Sequence, residues 1–216
     1  MGTPLREVIE EIGGGPRDGH TIKAVLSGVA NAIIPAPMLD TPVSYEGLAA
    51  IGSGLGSAGF MVFDDTVDMA SVAAGVANFL AVESCGQCLP CKLDGLALSD
   101  LLARLGRSEL ATVEFDAINK RMANVADRAR CYLAIQQQVV LTSIRDHFGS
   151  ELTAHLNRQH GSVEPELIAE LVDIQGGQAV WDERHRNKQP DWTYNKTDSG
   201  TVPVDRYRSV VPPWGS

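Results

Sequence analysis

The cysteines of this chain are Cys85, Cys88, Cys91 and Cys131, and the first three form a C-x2-C-x2-C cluster in the segment ESCGQCLPCK. Three thiolates at this spacing can bind three irons of a cubane cluster, and the fourth iron needs a thiolate from elsewhere in the fold. Cys131 can supply that thiolate. The spacing therefore predicts a [4Fe–4S] cluster bound by these four cysteines, with one-electron transfer as its chemistry.

Two other uses of the cysteines stay open at this point. A structural zinc ion usually takes its ligands as two close pairs rather than as a triplet with a distant single residue. Four cysteines could also form two disulfides, in any of three connectivities. The triplet spacing favours iron–sulfur ligation over both alternatives.

Two further patterns are more easily explained by backbone structure than by chemistry. Residues 54–59 match G-x-G-x-x-G, but a dinucleotide site needs a strand before this motif and a helix after it, and here the predicted order is reversed. Asp64, Asp65 and Asp68 could suggest a metal site, but acidic residues beside the first turn of a helix also stabilise its dipole. We therefore assign no ligand to either segment.

The histidines are scattered along the chain, at His20, His147, His155, His160 and His185. His155 and His160 are five positions apart, a spacing that does not place two side chains on one face of a helix. The sequence therefore predicts no histidine chemistry.

The composition narrows the classes of partner. The 216 residues have a net charge of -9 at pH 7, which argues against binding to nucleic acid or to anionic membranes. No stretch approaches the roughly 18 consecutive apolar residues of a membrane span. The N-terminal segment has no basic region followed by an apolar one, so we expect no signal peptide and a cytoplasmic protein, which could lie at the periphery of a membrane complex.

The N-terminal third predicts a small α+β unit. Apolar spacing indicates a helix over residues 3–12, and strands are expected at 21–27 and 60–64. Ser44 is expected to cap a short helix that ends near Ile51. Prolines in residues 31–43 favour loop and strand edges there.

Helical periodicity dominates residues 66–157. Helices are predicted from Thr66 to the first cysteine, at about 90–105, at about 109–126, and from about Ala129 to Phe148 with an extension toward Leu156. Short loops between four helices favour a bundle. Such a bundle can fold Cys131, near the start of the fourth helix, back onto the other three cysteines.

The last third has a different character. Residues 168–184 predict a β-hairpin with Gly176 and Gly177 at its turn. All three tryptophans, Trp181, Trp192 and Trp214, fall in the final 36 residues, which is unusual for a disordered tail. The tail is expected either to pack back on the chain or to wrap a partner subunit.

Several segments together resemble a known family. GTPLREVIEEIGGG, GSGLGSAGFMVFDD and ESCGQCLPCK are similar to the C-terminal half of the NADH-binding flavoprotein, the F-type component, of respiratory complex I and of related NAD-linked hydrogenases and formate dehydrogenases. The resemblance covers residues 2–157. It implies a β-grasp domain of the soluble-ligand-binding (SLBB) type at 1–65, a four-helix [4Fe–4S] domain at 66–157, and an unmatched extension at 158–216.

The resemblance also implies how the chain works. The cluster ligands of the family correspond to Cys85, Cys88, Cys91 and Cys131, and Lys92 replaces the family's usual arginine, which keeps the charge but loses the planar fork. The family's flavin domain has no counterpart in this sequence, so we expect no binding of FMN or NADH by this chain itself.

We therefore expect an iron–sulfur electron-transfer subunit of a multisubunit oxidoreductase, which is not catalytic alone. Its expected partners are a flavoprotein, a thioredoxin-like [2Fe–2S] protein or a catalytic subunit. The alternatives are a structural or assembly module with zinc or a redox-silent cluster, and the cluster half of a split NADH dehydrogenase.

Overall fold

The computed structural model describes residues 2–176 and 178–190. The N-terminal part has three strands in the order β2-β1-β3, antiparallel throughout, and two short helices. The elements are α1 (Leu5–Glu7, continued by a π-helical turn at Val8–Ile12), β1 (Ile22–Ser27), β2 (Ile34–Pro35), α2 (Tyr45–Ala50) and β3 (Phe60–Asp64). The predicted cap of α2 is confirmed, since the Ser44 hydroxyl accepts the Gly47 N–H at 2.9 Å.

Four longer helices follow, as the periodicity predicts. They are α3 (Met69–Glu83), α4 (Leu89–Gly106), α5 (Thr112–Asn124) and α6 (Leu133–Leu156). Helix α3 packs against α4 and α6, while α5 packs against α4 and α6. The fourth helix begins at Leu133 rather than near Ala129, and Phe148 interrupts its regular geometry with φ −125° and ψ 24°. No helix in the described ranges has the length and apolarity needed to cross a membrane.

The central strand β1 is buried on both sides. Ala24 and Leu26 belong to one apolar core with the long helices, whereas Val25 packs with Leu5 and Ile34 in a second core beneath α1 and α2. This alternation follows from the two-residue period of a strand. The sheet and the helices are thus joined through β1, and the chain is a mixed helix and strand fold.

Helix α3 lies at the centre of the helical part. Twelve of its 15 residues are buried, and most of them are Ala, Gly, Ser or Val. A helix that is apolar on all sides must be enclosed by other elements. Small side chains allow those neighbours to approach its backbone closely.

An extended strap, residues 163–168, lies along α3 and α4. The Val163 N–H donates to the Gly106 carbonyl at 3.0 Å, and the Glu166 N–H donates to the Ser71 carbonyl at the same distance. These two bonds attach the strap to both helices by its backbone. The described part of the C-terminal extension thus packs against the helical core.

The predicted hairpin follows the strap as β4 (Leu171–Gln175) and β5 (Gln178–Trp181). Beyond it, His185 stacks on Phe79 of α3, and Lys188 forms an ion pair with Glu83 near the first cysteine. Gly177, Trp192 and Trp214 lie outside the described residues.

Asp64, at the end of β3, accepts three hydrogen bonds that join it to a preceding loop. The Thr66 hydroxyl donates at 2.6 Å, the Thr66 N–H at 3.0 Å and Arg17 Nε at 2.8 Å. The Thr66 bond, opposed by burial and assisted by Arg17, lowers the pKa of Asp64 to about 2. Its folded-state pKa lies below the ordinary 3.8, so its stabilisation is complete above that value and is lost as the pH falls toward 2.

We expect Asp64→Ala to lower the free energy of unfolding at neutral pH by about 1–3 kcal/mol, because it removes the acceptor of this set of bonds. The difference should narrow between about pH 4 and about pH 2. Thermal unfolding followed by circular dichroism measures this, with Asp18→Ala as the control. Asp18 is an exposed aspartate of the same loop, so effects of acid on the rest of the molecule cancel between the variants. A pH-independent difference would contradict this role of Asp64.

We expect Gly75→Ala to lower the melting temperature. A Cβ at Gly75 would lie 2.2 Å from the Glu166 carbonyl oxygen, so the strap must move, at a cost of about 1–3 kcal/mol. Gly149→Ala, also in a helix, is the matched control, because no atom lies within 4 Å of the added Cβ. That variant should be neutral or stabilised by up to about 1 kcal/mol. Equal melting temperatures for the two variants would refute close packing of the strap at Gly75.

Candidate metal centre

The cysteine triplet lies at the junction of α3 and α4. Helix α3 ends at Glu83, and Gly86 then adopts φ 76°, a left-handed conformation that glycine tolerates without strain. Cys88 is the N-cap residue of α4, and Cys91 lies in the first turn of that helix. The junction therefore places backbone N–H groups of a helix N-terminus beside the thiols, where they favour negative charge.

Cys91 is the innermost of the predicted ligands, with 6% of its surface exposed. Burial raises the pKa of its thiol, and Cys131 and Cys88 raise it further, whereas the Ser84 hydroxyl and Lys92 act in the opposite direction. The Ser84 oxygen lies 3.3 Å from Cys91 Sγ. Because the Gly86 N–H points to the same oxygen at 3.4 Å, the hydroxyl hydrogen is available for the sulfur.

Cys131 approaches this junction from the loop between α5 and α6. Its charge is close enough to influence the Cys91 thiol, although 40 positions separate the two residues in the sequence. Cys85 and Cys131 are exposed, and Cys88 is half-buried. The structure thus brings Cys131, Cys91 and Cys88 together, with Cys85 in the same short junction.

The spacing of the sulfurs is wide. None of the four thiols, all within the described residues, is paired in a disulfide. Two groups of three potential ligands in the described chain have their ligand atoms within 4.8 Å of one another, and neither contains a cysteine. A tetrahedral zinc site with Zn–S bonds of about 2.3 Å would place its sulfurs about 3.8 Å apart. The four thiols are therefore arranged for a group larger than a single zinc ion.

Lys92 lies directly beneath the junction and is fully buried. Its Nζ donates to the Ala81 carbonyl at 2.8 Å. Ala81 is in the last turn of α3, where the carbonyls lack partners within the helix and a cation is favoured by the helix dipole. The lysine therefore satisfies the end of α3 and places a positive charge next to Cys91.

Sequence reasoning identified the thiols but missed Ser84 as a partner of Cys91. A hydroxyl residue between the end of a helix and the first cysteine was the available signal. The buried position of Lys92 was also missed, because a lysine in a helical pattern is usually assigned to the surface.

Comparison with known proteins agrees with the predicted resemblance. Residues 71–155 match the family described as the NADH-ubiquinone oxidoreductase-F iron-sulfur binding region. This match confirms the predicted relationship and the predicted [4Fe–4S] cofactor.

Two relatives extend the similarity beyond that region. An F-type NADH-quinone oxidoreductase component of Rhizobium meliloti is 34% identical over 161 residues, which are 74% of this chain and 38% of that protein. The NADP-reducing hydrogenase subunit HndC of Solidesulfovibrio fructosivorans is 35% identical over 158 residues, 73% of this chain and 32% of that protein. The chain thus spans roughly a third of the length of these relatives.

A solved structure shares the fold. The crystal structure of an NAD+-reducing [NiFe]-hydrogenase in the H2-reduced state matches with a TM-score of 0.61 and 22% sequence identity, over 72% of this chain and 26% of that chain.

Proposed function

We propose that this chain, whose residues 71–155 are an iron–sulfur binding region of the NADH-ubiquinone oxidoreductase-F type, is an electron-transfer subunit with one [4Fe–4S] cluster. The proposed ligands are Cys85, Cys88, Cys91 and Cys131. When bound, such a cluster supplies a reversible one-electron acceptor and donor. The observation that supports this most directly is the approach of Cys131 to the C-x2-C-x2-C junction around the buried Cys91.

The residues present fit a cubane cluster. Four thiolates bring substantial negative charge into a half-buried site, and that charge needs compensation. The Ser84 hydroxyl, the buried Lys92 ammonium and the N-terminus of α4 all lie on the protein side of the thiols. Hydrogen bonds and nearby positive charge of this kind stabilise the reduced state and raise the reduction potential.

The exposure of the ligands indicates where electrons enter or leave. Cys91 faces the interior, whereas Cys85 and Cys131 are exposed. An edge of the site therefore lies at the protein surface. A redox partner that docks there can approach closely without any rearrangement of the helical core.

A relay needs a donor and an acceptor, and we infer that other oxidoreductase subunits provide them. The relatives are named as subunits of an NADH-quinone oxidoreductase and of an NADP-reducing hydrogenase. By that relationship the expected partners are a flavoprotein, a thioredoxin-like [2Fe–2S] protein or a catalytic subunit. FMN and NADH are proposed to bind to a separate part of the assembly rather than to residues 1–216.

The same relationship assigns roles to the parts of the chain. We infer that residues 1–65, with the three-stranded sheet, are an SLBB β-grasp domain that serves as a docking surface. Residues 66–157, with α3 to α6, are proposed as a four-helix [4Fe–4S] domain. Residues 158–216 form the extension, of which the strap packs against α3 and α4.

Metal analysis of anaerobically purified protein tests the proposal. We expect about four irons and about four acid-labile sulfides per chain. One equivalent of zinc without iron would contradict the relay and favour a structural or assembly module. Co-purification with a flavin-containing chain would support the proposed arrangement of partners.

We expect Cys131→Ser to lose most of its iron, because the fourth thiolate is then missing while the triplet remains. Tyr132→Phe, at the exposed neighbouring position, should keep the full iron content. Iron and sulfide are measured on both variants purified in parallel. Unchanged iron in the Cys131 variant would exclude this cysteine as a ligand.

Ser84→Ala is expected to lower the reduction potential of the cluster. A hydrogen bond contributes about 0.5–1.5 kcal/mol, and 1.4 kcal/mol corresponds to about 59 mV for one electron, so the shift should be about 20–60 mV. A potentiometric titration measures the shift. Ser99→Ala is the control, since its hydroxyl bonds Asn78 more than two turns along α4 from Cys91. Equal potentials for the two variants would show that the Ser84 hydroxyl does not act on the cluster.

A further inference from the structure

A second group of potential metal ligands lies at the opposite end of α3 from the cysteines. Asp68 is the N-cap residue of this helix, whereas the cysteine triplet follows its C-terminus. Fifteen helical residues separate the two ends, a distance of about 22 Å. The group is therefore independent of the cysteine site.

Asp68 Oδ2 faces two imidazoles. It lies 2.9 Å from His155 Nε2 and 3.5 Å from His160 Nδ1, and the three ligand atoms are all within 4.8 Å of one another. His155 is fully buried, and the side chain of His160 is 48% exposed. The arrangement combines an enclosed ligand with one that is open to solvent.

The chain reverses direction to bring the two histidines together. Helix α6 ends at Leu156, and Arg158 then adopts φ 57°. His160 folds back so that its ring centroid lies 5.1 Å from that of His155. A spacing of five residues, unsuitable within a helix, thus becomes suitable across a helix end.

The remaining polar atoms of the group already have partners. Asp68 Oδ1 accepts the Ala70 N–H at 2.8 Å, which leaves Oδ2 for the imidazoles. The Ser108 oxygen lies 3.4 Å from His155 Nδ1 and 3.4 Å from the His160 carbonyl oxygen. Metal-bound histidines usually donate their second ring N–H to such an oxygen, which fixes the tautomer with the other nitrogen free for the metal.

We propose that Asp68, His155 and His160 bind one divalent transition-metal ion, with zinc as the ion that best suits two imidazoles and a carboxylate. In a tetrahedral site with bonds of about 2.0–2.1 Å, neighbouring ligand atoms are about 3.3–3.4 Å apart. The spacing between Asp68 and His160 already matches this value, and the Asp68–His155 pair needs to open by a few tenths of an ångström. The fourth position lies on the open side, next to His160.

Binding there would fasten three elements at one point. Asp68 begins α3, His155 lies in the last turn of α6, and His160 precedes the strap. The other histidine group, Glu170, Asp182 and His185, is less suited to a metal because Arg184 already contacts both oxygens of Asp182. The Asp68 site is therefore the one that we assign.

Equilibrium dialysis of the full, cluster-loaded chain against zinc tests the proposal. We expect one zinc per chain with no loss of iron. His160→Ala should weaken binding by more than the roughly 10- to 100-fold that even outer-shell partners contribute. This variant leaves the buried Asp68–His155 pair in place, so the fold is retained. His147→Ala, an exposed histidine of the same helix as His155, is the matched control and should bind zinc like the unmodified chain.

Asp68→Asn is the second variant. Asparagine keeps the N-cap acceptor of α3 but removes the charge, so zinc binding should weaken while the melting temperature of the metal-free form changes little. Cobalt serves as a spectroscopic probe, because ligation by nitrogen and oxygen lacks the thiolate charge-transfer absorption that binding at the cysteines would produce. The absence of zinc binding, equal affinity in the His160 and His147 variants, or a thiolate spectrum with cobalt would each overturn the proposal. In those cases Asp68 and His155 form a structural ion pair only.

Discussion

Burial of α3 on every side is the constraint on which the rest of this structure depends. A helix enclosed by protein cannot leave its terminal carbonyls and N–H groups to water, so its neighbours must satisfy them. At the C-terminal end, the Ser84 N–H donates to Leu80 and Lys92 Nζ donates to Ala81. Ser84 and Lys92 flank the cysteine triplet, so the need to complete α3 also places polar partners around Cys91.

The same requirement shapes the other end of α3 and its contact with the sheet. The Met69 N–H donates to Glu151 of α6 at 2.6 Å, and Lys23 of β1 pairs with the same carboxylate at 2.8 Å. Lys23 also lies over the Phe148 ring, where α6 departs from regular geometry. These contacts attach the sheet to the helical part at a half-buried ion pair and hold the N-terminal end of α3 in place.

Much of this arrangement could be predicted from local sequence. The helices and strands follow apolar periodicity, Ser44 marks a cap, and the cysteine spacing indicates the cluster, because each depends on neighbours within a few positions. Contacts across the fold could not be predicted. The meeting of His155 with Asp68 and the enclosure of Lys92 depend on how distant segments pack, and spacing alone argued against any joint role for the two C-terminal histidines of α6 and its following turn. The strap was likewise hidden, since a glycine in α3 shows its purpose only when another backbone lies against it.

The central claim is that the cysteine junction is a redox site rather than a structural one. The most direct test is electron paramagnetic resonance of the anaerobically purified chain during a stepwise reductive and oxidative titration. We expect a single paramagnetic species that appears on reduction, disappears on reoxidation and follows a one-electron curve, since a [4Fe–4S] cluster changes by one electron. A protein that contains metal but gives no signal at any potential would contradict the claim.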